Sequence, residues 1–212
     1  TRMIRKPKYK VCRMLGDRIF PKCQTAKYAV RAAQKGGASS SLFGVGKKRG
    51  RGKSEYGTQL LEKQKVRFTY GMNERQFRNM VQAAQAKSGN SNEKLYQGLE
   101  LRLDNVIYRL GLASSRAAAR QAVSHGHFTV NGRRLTIPSY RVSTNDTIAV
   151  RMGSRPSPLF QNLEERRKGV EVPAWLSFDV ENFSAHVRGV PTALGSEAIF
   201  DLGAVLEFYS RS

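Results

Sequence analysis

Acidic side chains are scarce in this chain. Its 212 residues carry 16 Asp plus Glu against 37 Lys plus Arg, a formal net charge of +21. Cysteine is nearly absent. With two cysteines, and a basic opening with no apolar stretch behind it, the chain shows neither a disulfide scaffold nor a secretory pattern, which points to a reducing, cytosol-like compartment. Long apolar runs are missing too. Nothing approaches the roughly 18 consecutive apolar residues that a membrane-spanning helix needs. The phosphate-loop, Gly-x-Ser-x-Gly and His-Glu-x-x-His signatures of nucleotide, acyl-transfer and zinc-hydrolase chemistry do not occur. Nor is there a solenoid-type repeat. What the chain has in ordinary measure is apolar residues, 40% of the total, enough for one or two packed domains, so wholesale disorder is excluded.

The charge is unevenly spread. Residues 1–53 balance at +15, residues 54–90 at +3, residues 91–152 at +5 and residues 153–212 at −2. Self-repulsion in so basic a first segment opposes compact packing, unless a polyanion neutralises it and releases counterions. Tyr9, Phe20, Tyr28 and Phe43 are interleaved among these cations, which favours nucleic acid over a solvated tail. An anionic membrane surface fits less well, because the apolar residues there show no sustained helical face.

Thr1 to about Lys35 gives no firm periodicity and reads as an extension ordered by its partner. Gly36 to Lys53 is a glycine- and serine-rich loop carrying Lys47, Lys48, Arg49, Arg51 and Lys53. Ser54 precedes a helix running to about Phe68, where cations and Glu62 outnumber apolar residues, so this helix is expected against solvent or RNA. Asn73 with Gln76 reads as an N-cap and capping-box partner, ahead of Phe77, Met80, Val81 and Ala84 at helical spacing. Leu99, Leu103, Val106, Ile107 and Leu110 predict one amphipathic helix stopped by Gly111. Ser114 is placed to cap the next, whose 100° step brings Arg116 and Arg120 to one side, with Ala118 and Ala122 roughly opposite.

Period two then takes over. Phe128 and Val130, the Asn131-Gly132 turn signal, then Leu135 and Ile137 predict a hairpin, and further strands are expected around Ile148 and Val150, Trp175–Val180 and Phe183–Val187. Glu164–Lys168 reads as an exposed helical turn. Ala198–Arg211 is too apolar to stay exposed, although its pattern assigns no secondary structure. The whole is an α+β chain with helices packed on a small antiparallel sheet.

Several ordered runs resemble one family. They are Glu62-Lys63-Gln64-Lys65-Val66-Arg67, Tyr70-Gly71, Glu74-Arg75-Gln76-Phe77-Arg78, and Arg102-Leu103-Asp104-Asn105-Val106 with Arg109. Ser115-Arg116, Ala119-Arg120-Gln121, Ser124-His125-Gly126-His127, Val130-Asn131-Gly132-Arg133, Pro138-Ser139-Tyr140, Asp146, Pro173-Ala174-Trp175-Leu176 and Glu207-Phe208-Tyr209-Ser210 continue the series. In this order they resemble the family of small-ribosomal-subunit protein four. The resemblance implies a non-enzymatic ribosomal constituent, cytoplasmic or organellar, that binds small-subunit rRNA in its 5′ domain and nucleates assembly. It also implies that, beside ribosomal proteins three and five, the chain lines the mRNA entry channel and influences accuracy. For the chain's division it implies a basic N-terminal extension over 1–37, a helical domain over 38–91 completed by 192–212, and an inserted RNA-binding module over 92–191. Its RNA-facing residues carry over to Arg116, Arg120 and Gln121 on a helix and to His125, His127, Asn131 and Arg133 at the hairpin. The cations Lys63, Lys65, Arg67, Arg75 and Arg78 of the matched runs belong to the same expectation, and Lys47, Lys48, Arg49, Arg51 and Lys53 to the messenger path.

Three rival readings are weaker. Arg102-Leu103-Asp104 resembles the catalytic tripeptide of pseudouridine synthases that carry the same module. There, however, the aspartate lies in a large domain after the module, and here only about sixty residues follow the third strand. Asp104 is therefore expected to orient a neighbouring arginine or cap local structure. A free-standing regulatory RNA-binding module would not need the first ninety residues. His125 and His127 fall short of a zinc shell, and Cys12 and Cys23 keep only half of a four-cysteine site that some members of the resembled family carry. No metal or other cofactor is expected.

Overall fold

The computed structural model describes residues 7–34, 54–161, 163–167, 169–192 and 200–211. They form an α+β protein of two units, one built from the described residues of Thr1–Asn92 and Gly195–Ser212, the other from those of Glu93–Leu194.

In the first unit, α1 (Lys8–Leu15) turns Val11, Cys12 and Leu15 inward and stops at Gly16, whose φ of 72° a glycine adopts without strain. A 3-10 turn at Pro21–Cys23 leads to α2 (Ala26–Gln34). The extension expected to await its partner is thus folded over its described part. Val11 and Leu15 meet Phe68 in one cluster, and Cys12, Cys23 and Tyr28 make another, an apolar set too small to show as periodicity against the cations.

Helix α3 (Glu55–Thr69) begins at Ser54, whose Oγ accepts from Gly57 N at 3.2 Å. It is not the solvent- or RNA-facing helix its composition predicts. Helix α9 (Leu202–Ser210), capped by Asp201, packs along it, and Gln59, Lys63, Val66 and Phe68 are buried. The apolar C-terminal stretch that needs a cover finds it on α3. Helix α4 (Glu74–Gln85) begins as expected at Asn73, whose Oδ1 accepts from Gln76 N at 2.7 Å, and buries Phe77, Val81 and Ala84.

The stripe read as one helix is two. Helix α5 (Ser91–Glu100) ends, Leu101 lies in a turn, Arg102 is extended, and α6 (Leu103–Arg109) follows. Tertiary hydrogen bonds make the break: Leu103 N donates to Tyr140 O, Asp104 N to Pro138 O, and Val142 N to Leu101 O, all at 2.9–3.1 Å. Gly111, at φ 74°, ends the turn after α6. Helix α7 (Arg116–Ser124) is capped by Ser115 rather than Ser114, its Oγ accepting from Ala118 N, and it buries Ala119 and Val123.

The five-stranded sheet has the order β2-β1-β3-β5-β4 with every neighbouring pair antiparallel. Its strands are β1 (Phe128–Val130), β2 (Arg133–Leu135), β3 (Thr147–Val150), β4 (Leu176–Asp179) and β5 (Ser184–Val187). Asn131 (φ 50°) and Gly132 (φ 77°) make the two-residue turn with both residues left-handed, as the dipeptide predicts. Ile137, expected to continue the alternation, lies exposed beyond β2. The short α8 (Leu163–Arg167) falls where a helical turn is expected. Phe128, Ile148, Val150, Ala185 and Val187 pack against Val106, Ile107, Leu110, Ala119 and Val123 in one core. That core fixes α7 and the first hairpin against each other. No helix among the described residues is long and apolar enough to cross a membrane.

Candidate nucleic-acid interface

Two buried carboxylates organise the cations of the second unit. Asp104, at the start of α6, receives Arg102 through Nε (3.1 Å) and Nη2 (2.9 Å), and Arg120 from α7 through Nε (2.9 Å) and Nη2 (2.7 Å). The Asp104 side chain is 2% exposed and that of Arg120 11%. Glu100 binds Arg109 with both carboxylate oxygens at 2.9 and 3.1 Å, and accepts from Asn105 Nδ2 at 3.0 Å. Asn105 Oδ1 in turn accepts from Arg116 Nε at 2.7 Å, and the Arg116 guanidinium stands 4.5 Å over the Tyr108 ring. Buried charge persists where it is paired and hydrogen-bonded, and planar guanidinium forks bound this way hold one orientation. The helix face read as two arginines open to a partner is thus a pair anchored from behind. Asp104 orients arginines, as expected of it, and is closed off from any reacting group.

Past the end of α7 the chain turns at Gly126 (φ 74°) into β1. His125 and Gln121 are exposed here. Arg134 Nη2 donates to His125 O at 3.1 Å, and the His125 and His127 rings lie 6.0 Å apart. His127 Nδ1 is 3.0 Å from Ser154 Oγ. Burial, then the charges of His125, Arg151 and Arg134, hold the His127 imidazole below its usual pKa. Asn131 donates from Nδ2 to Asp146 Oδ1 at 2.8 Å and accepts from Thr147 N at 2.9 Å, so its amide ties the turn to the neighbouring loop. Arg133 stands exposed on the turn.

The cations of the first unit divide. Lys63 is 8% exposed, with Nζ 2.8 Å from Glu74 Oε1 and 4.6 Å over the Phe208 ring, so it belongs to the interior. Arg67 meets Glu74 Oε2 at 3.2 Å, and Tyr209 donates its hydroxyl to Glu74 Oε1 at 2.6 Å. Burial pulls the Glu74 carboxyl upward, but hydrogen bonds from Lys63 and Tyr209 and the charges of Lys63 and Arg67 outweigh it, and the net displacement is below the usual carboxylate range. Lys65 pairs with Glu62 at 2.7 Å. Arg75 and Arg78 are exposed on α4. Lys47, Lys48, Arg49, Arg51 and Lys53 lie outside the described residues.

Sequence reading missed Arg102, Arg134 and Arg151. The signal for Arg134 is its place opposite Thr129 in the hairpin register, one residue beyond the turn cation Arg133. Arg102 pairs with Asp104 only two residues on, but its backbone bridge to Arg141, which helps hold it in place, is tertiary and leaves no local signal. Cys12 and Cys23 are free and fully buried, and no group of three or more metal-binding side chains occurs among the described residues.

Residues 3–100 match the family described as "Ribosomal protein S4/S9 N-terminal domain", and residues 101–148 match the "S4 domain". The small ribosomal subunit protein uS4 of Acetivibrio thermocellus is 44% identical over 205 residues, covering 95% of this chain and 96% of that protein. Its counterpart in Clostridioides difficile is 43% identical over 203 residues (94% and 95%), and that in Persephonella marina 47% over 158 residues (74% and 77%).

Proposed function

Since the chain belongs to the uS4 family of small-ribosomal-subunit proteins, we propose that it binds small-subunit rRNA in the 5′ domain directly and early, and so nucleates assembly. The role is structural, not enzymatic. The module over 92–191 supplies the primary contacts. Gln121, His125 and Arg133 face the RNA, and Arg116 and Arg120 offer the outer edges of guanidinium groups held from behind by Asn105 and Asp104. Phosphate neutralisation by such fixed donors reads the shape of folded RNA without bond chemistry. Asn131 serves the same face by fixing the hairpin. In the first unit Arg75 and Arg78 add contacts, while Lys63, Lys65 and Arg67 hold the helices that carry them. Lys47, Lys48, Arg49, Arg51 and Lys53 contact mRNA at the entry channel, beside ribosomal proteins three and five, and so influence accuracy. The working location is the ribosome in the cytoplasm.

The observation that carries this reading is the exposed set around the α7–hairpin corner, in a unit where buried Asp104 and Glu100 neutralise Arg102, Arg109 and Arg120. Mixing the purified protein with protein-free small-subunit rRNA, followed by backbone cleavage footprinting, tests it. Protection within the 5′ domain without other ribosomal proteins is expected. Protection that appears only on partly assembled particles would overturn early binding.

A further inference from the structure

The corner where α7 meets the hairpin gathers four groups that carry or can take positive charge. His125 and His127 lie 6.0 Å apart, ring to ring. Arg134 of β2 donates to His125 O, and its guanidinium fills the space beside Gly126, where a Cβ would collide with Nε. Arg151, just after β3, donates its backbone N–H to His127 O at 2.9 Å. The other neighbours of His127 are neutral: Ser154 Oγ at Nδ1, and the Phe160 ring edge-on at 6.0 Å. None of the four is in an ion pair with a carboxylate among the described residues.

The contrast with the adjoining network is informative. Arg102, Arg109 and Arg120 each meet Asp104 or Glu100, whereas here positive groups converge without a counter-charge among the described residues. A phosphodiester supplies one, with a single negative charge retained throughout the neutral range and two acceptor oxygens. Burial, then the like charges of His125, Arg151 and Arg134, disfavours protonation of His127 in the free protein. A phosphate among them reverses that preference.

We propose, resting on the RNA-binding reading above, that His125, His127, Arg134 and Arg151 form one seat for an RNA phosphate, and that filling it draws a proton from solvent onto His127. The charged ring then donates from Nδ1 to Ser154 Oγ and keeps Nε2–H for the anion. No bond to phosphorus changes. Because the complex binds more protons than the free protein, affinity rises as pH falls, by up to about tenfold per pH unit between the free and bound titration points of His127.

The test uses the full chain, a 5′-domain rRNA fragment and an unrelated folded RNA, at fixed salt between pH 8 and pH 5.5. The wild type is expected to tighten as pH falls, and His127→Gln to lose most of that slope. Imidazole NMR of the wild type reads the same linkage without substitution, and His127 should titrate at higher pH with RNA bound. A slope unchanged in His127→Gln, or a His127 titration identical in free and bound protein, would overturn the seat. Proton-linked binding to both RNAs with no preference for the 5′ domain would support the seat and overturn the ribosomal-RNA reading. No binding at any pH would overturn both.

Discussion

Arg120 on α7 and Asp104 on α6, 16 residues apart, share two hydrogen bonds of 2.9 and 2.7 Å onto one carboxylate oxygen, in a place where the aspartate is 2% exposed. Arg102 completes the triad from the other side. The orientation of an arginine on the proposed RNA face is therefore set by an acid buried away from solvent. Asp104→Asn leaves two largely buried guanidinium groups without their counter-charge, which typically costs about 3–5 kcal/mol. Urea unfolding should show the second unit destabilised on this scale, while conservative changes at exposed Gln121 leave stability within about 0.5 kcal/mol.

Arg133 and Arg134 differ from Arg120 in pairing with no acid among the described residues. Arg133→Ala and Arg134→Ala should each lower the dependence of log K on log salt by about 0.7–0.9 for every phosphate that is no longer neutralised, with little change in stability. Arg120→Ala should instead act mainly on stability, by stranding Asp104 with one arginine. Salt-dependent binding and unfolding curves on the three variants separate these effects.

Gly126→Ala places a side chain at φ 74° and into the space that Arg134 fills. The backbone strain costs about 1–2 kcal/mol. Arg134 is the flexible partner and gives way, so RNA affinity should fall further than the stability loss explains, as compared in unfolding and binding experiments on one preparation.

Glu74 ties Lys63, Arg67 and Tyr209 together, and its carboxyl is displaced below its usual range. A depressed carboxyl contributes stability above its unfolded pKa, and that contribution disappears as pH falls through the folded value. Glu74 is 43% exposed, so solvent screening limits the effect to roughly 0.5–1 kcal/mol. Glu74→Gln should be less stable than the wild type at pH 7, and the gap should close below about pH 4 in thermal unfolding.

Cys12 and Cys23 are fully buried, and burial, then the hydrogen bond and charge of Cys12, pushes the Cys23 thiol up to about 12. Thiolate is the reactive form. Alkylation at pH 8 should leave both thiols unmodified in the native protein and modify both in denaturant, as counted by mass spectrometry.

Local signals were legible where local chemistry decides. Asn73, and Asn131 with Gly132, sit in the cap and turn their residue types predict, because each needs a partner within three residues or a left-handed backbone. Distant partners were not legible. The helix through Leu103 breaks because Tyr140 and Pro138 offer carbonyls to its first amides. Lys63 is interior because the rings of Phe208 and Tyr209 arrive from the far end of the chain. Among the site residues, His125 and Arg133 were singled out by the family resemblance of their runs. The anchoring of Arg116 and Arg120 by Asn105 and Asp104 depends on two helices packing, and a count of cations cannot reveal it.

The most direct test of rRNA recognition is salt-dependent binding of the purified chain to the 5′ domain of small-subunit rRNA, against an unrelated folded RNA of equal length as competitor. Binding to the 5′ domain that survives the competitor at rising salt is the predicted result. Equal affinity for both RNAs, falling in parallel as salt rises, would contradict it and leave only a generic polycation.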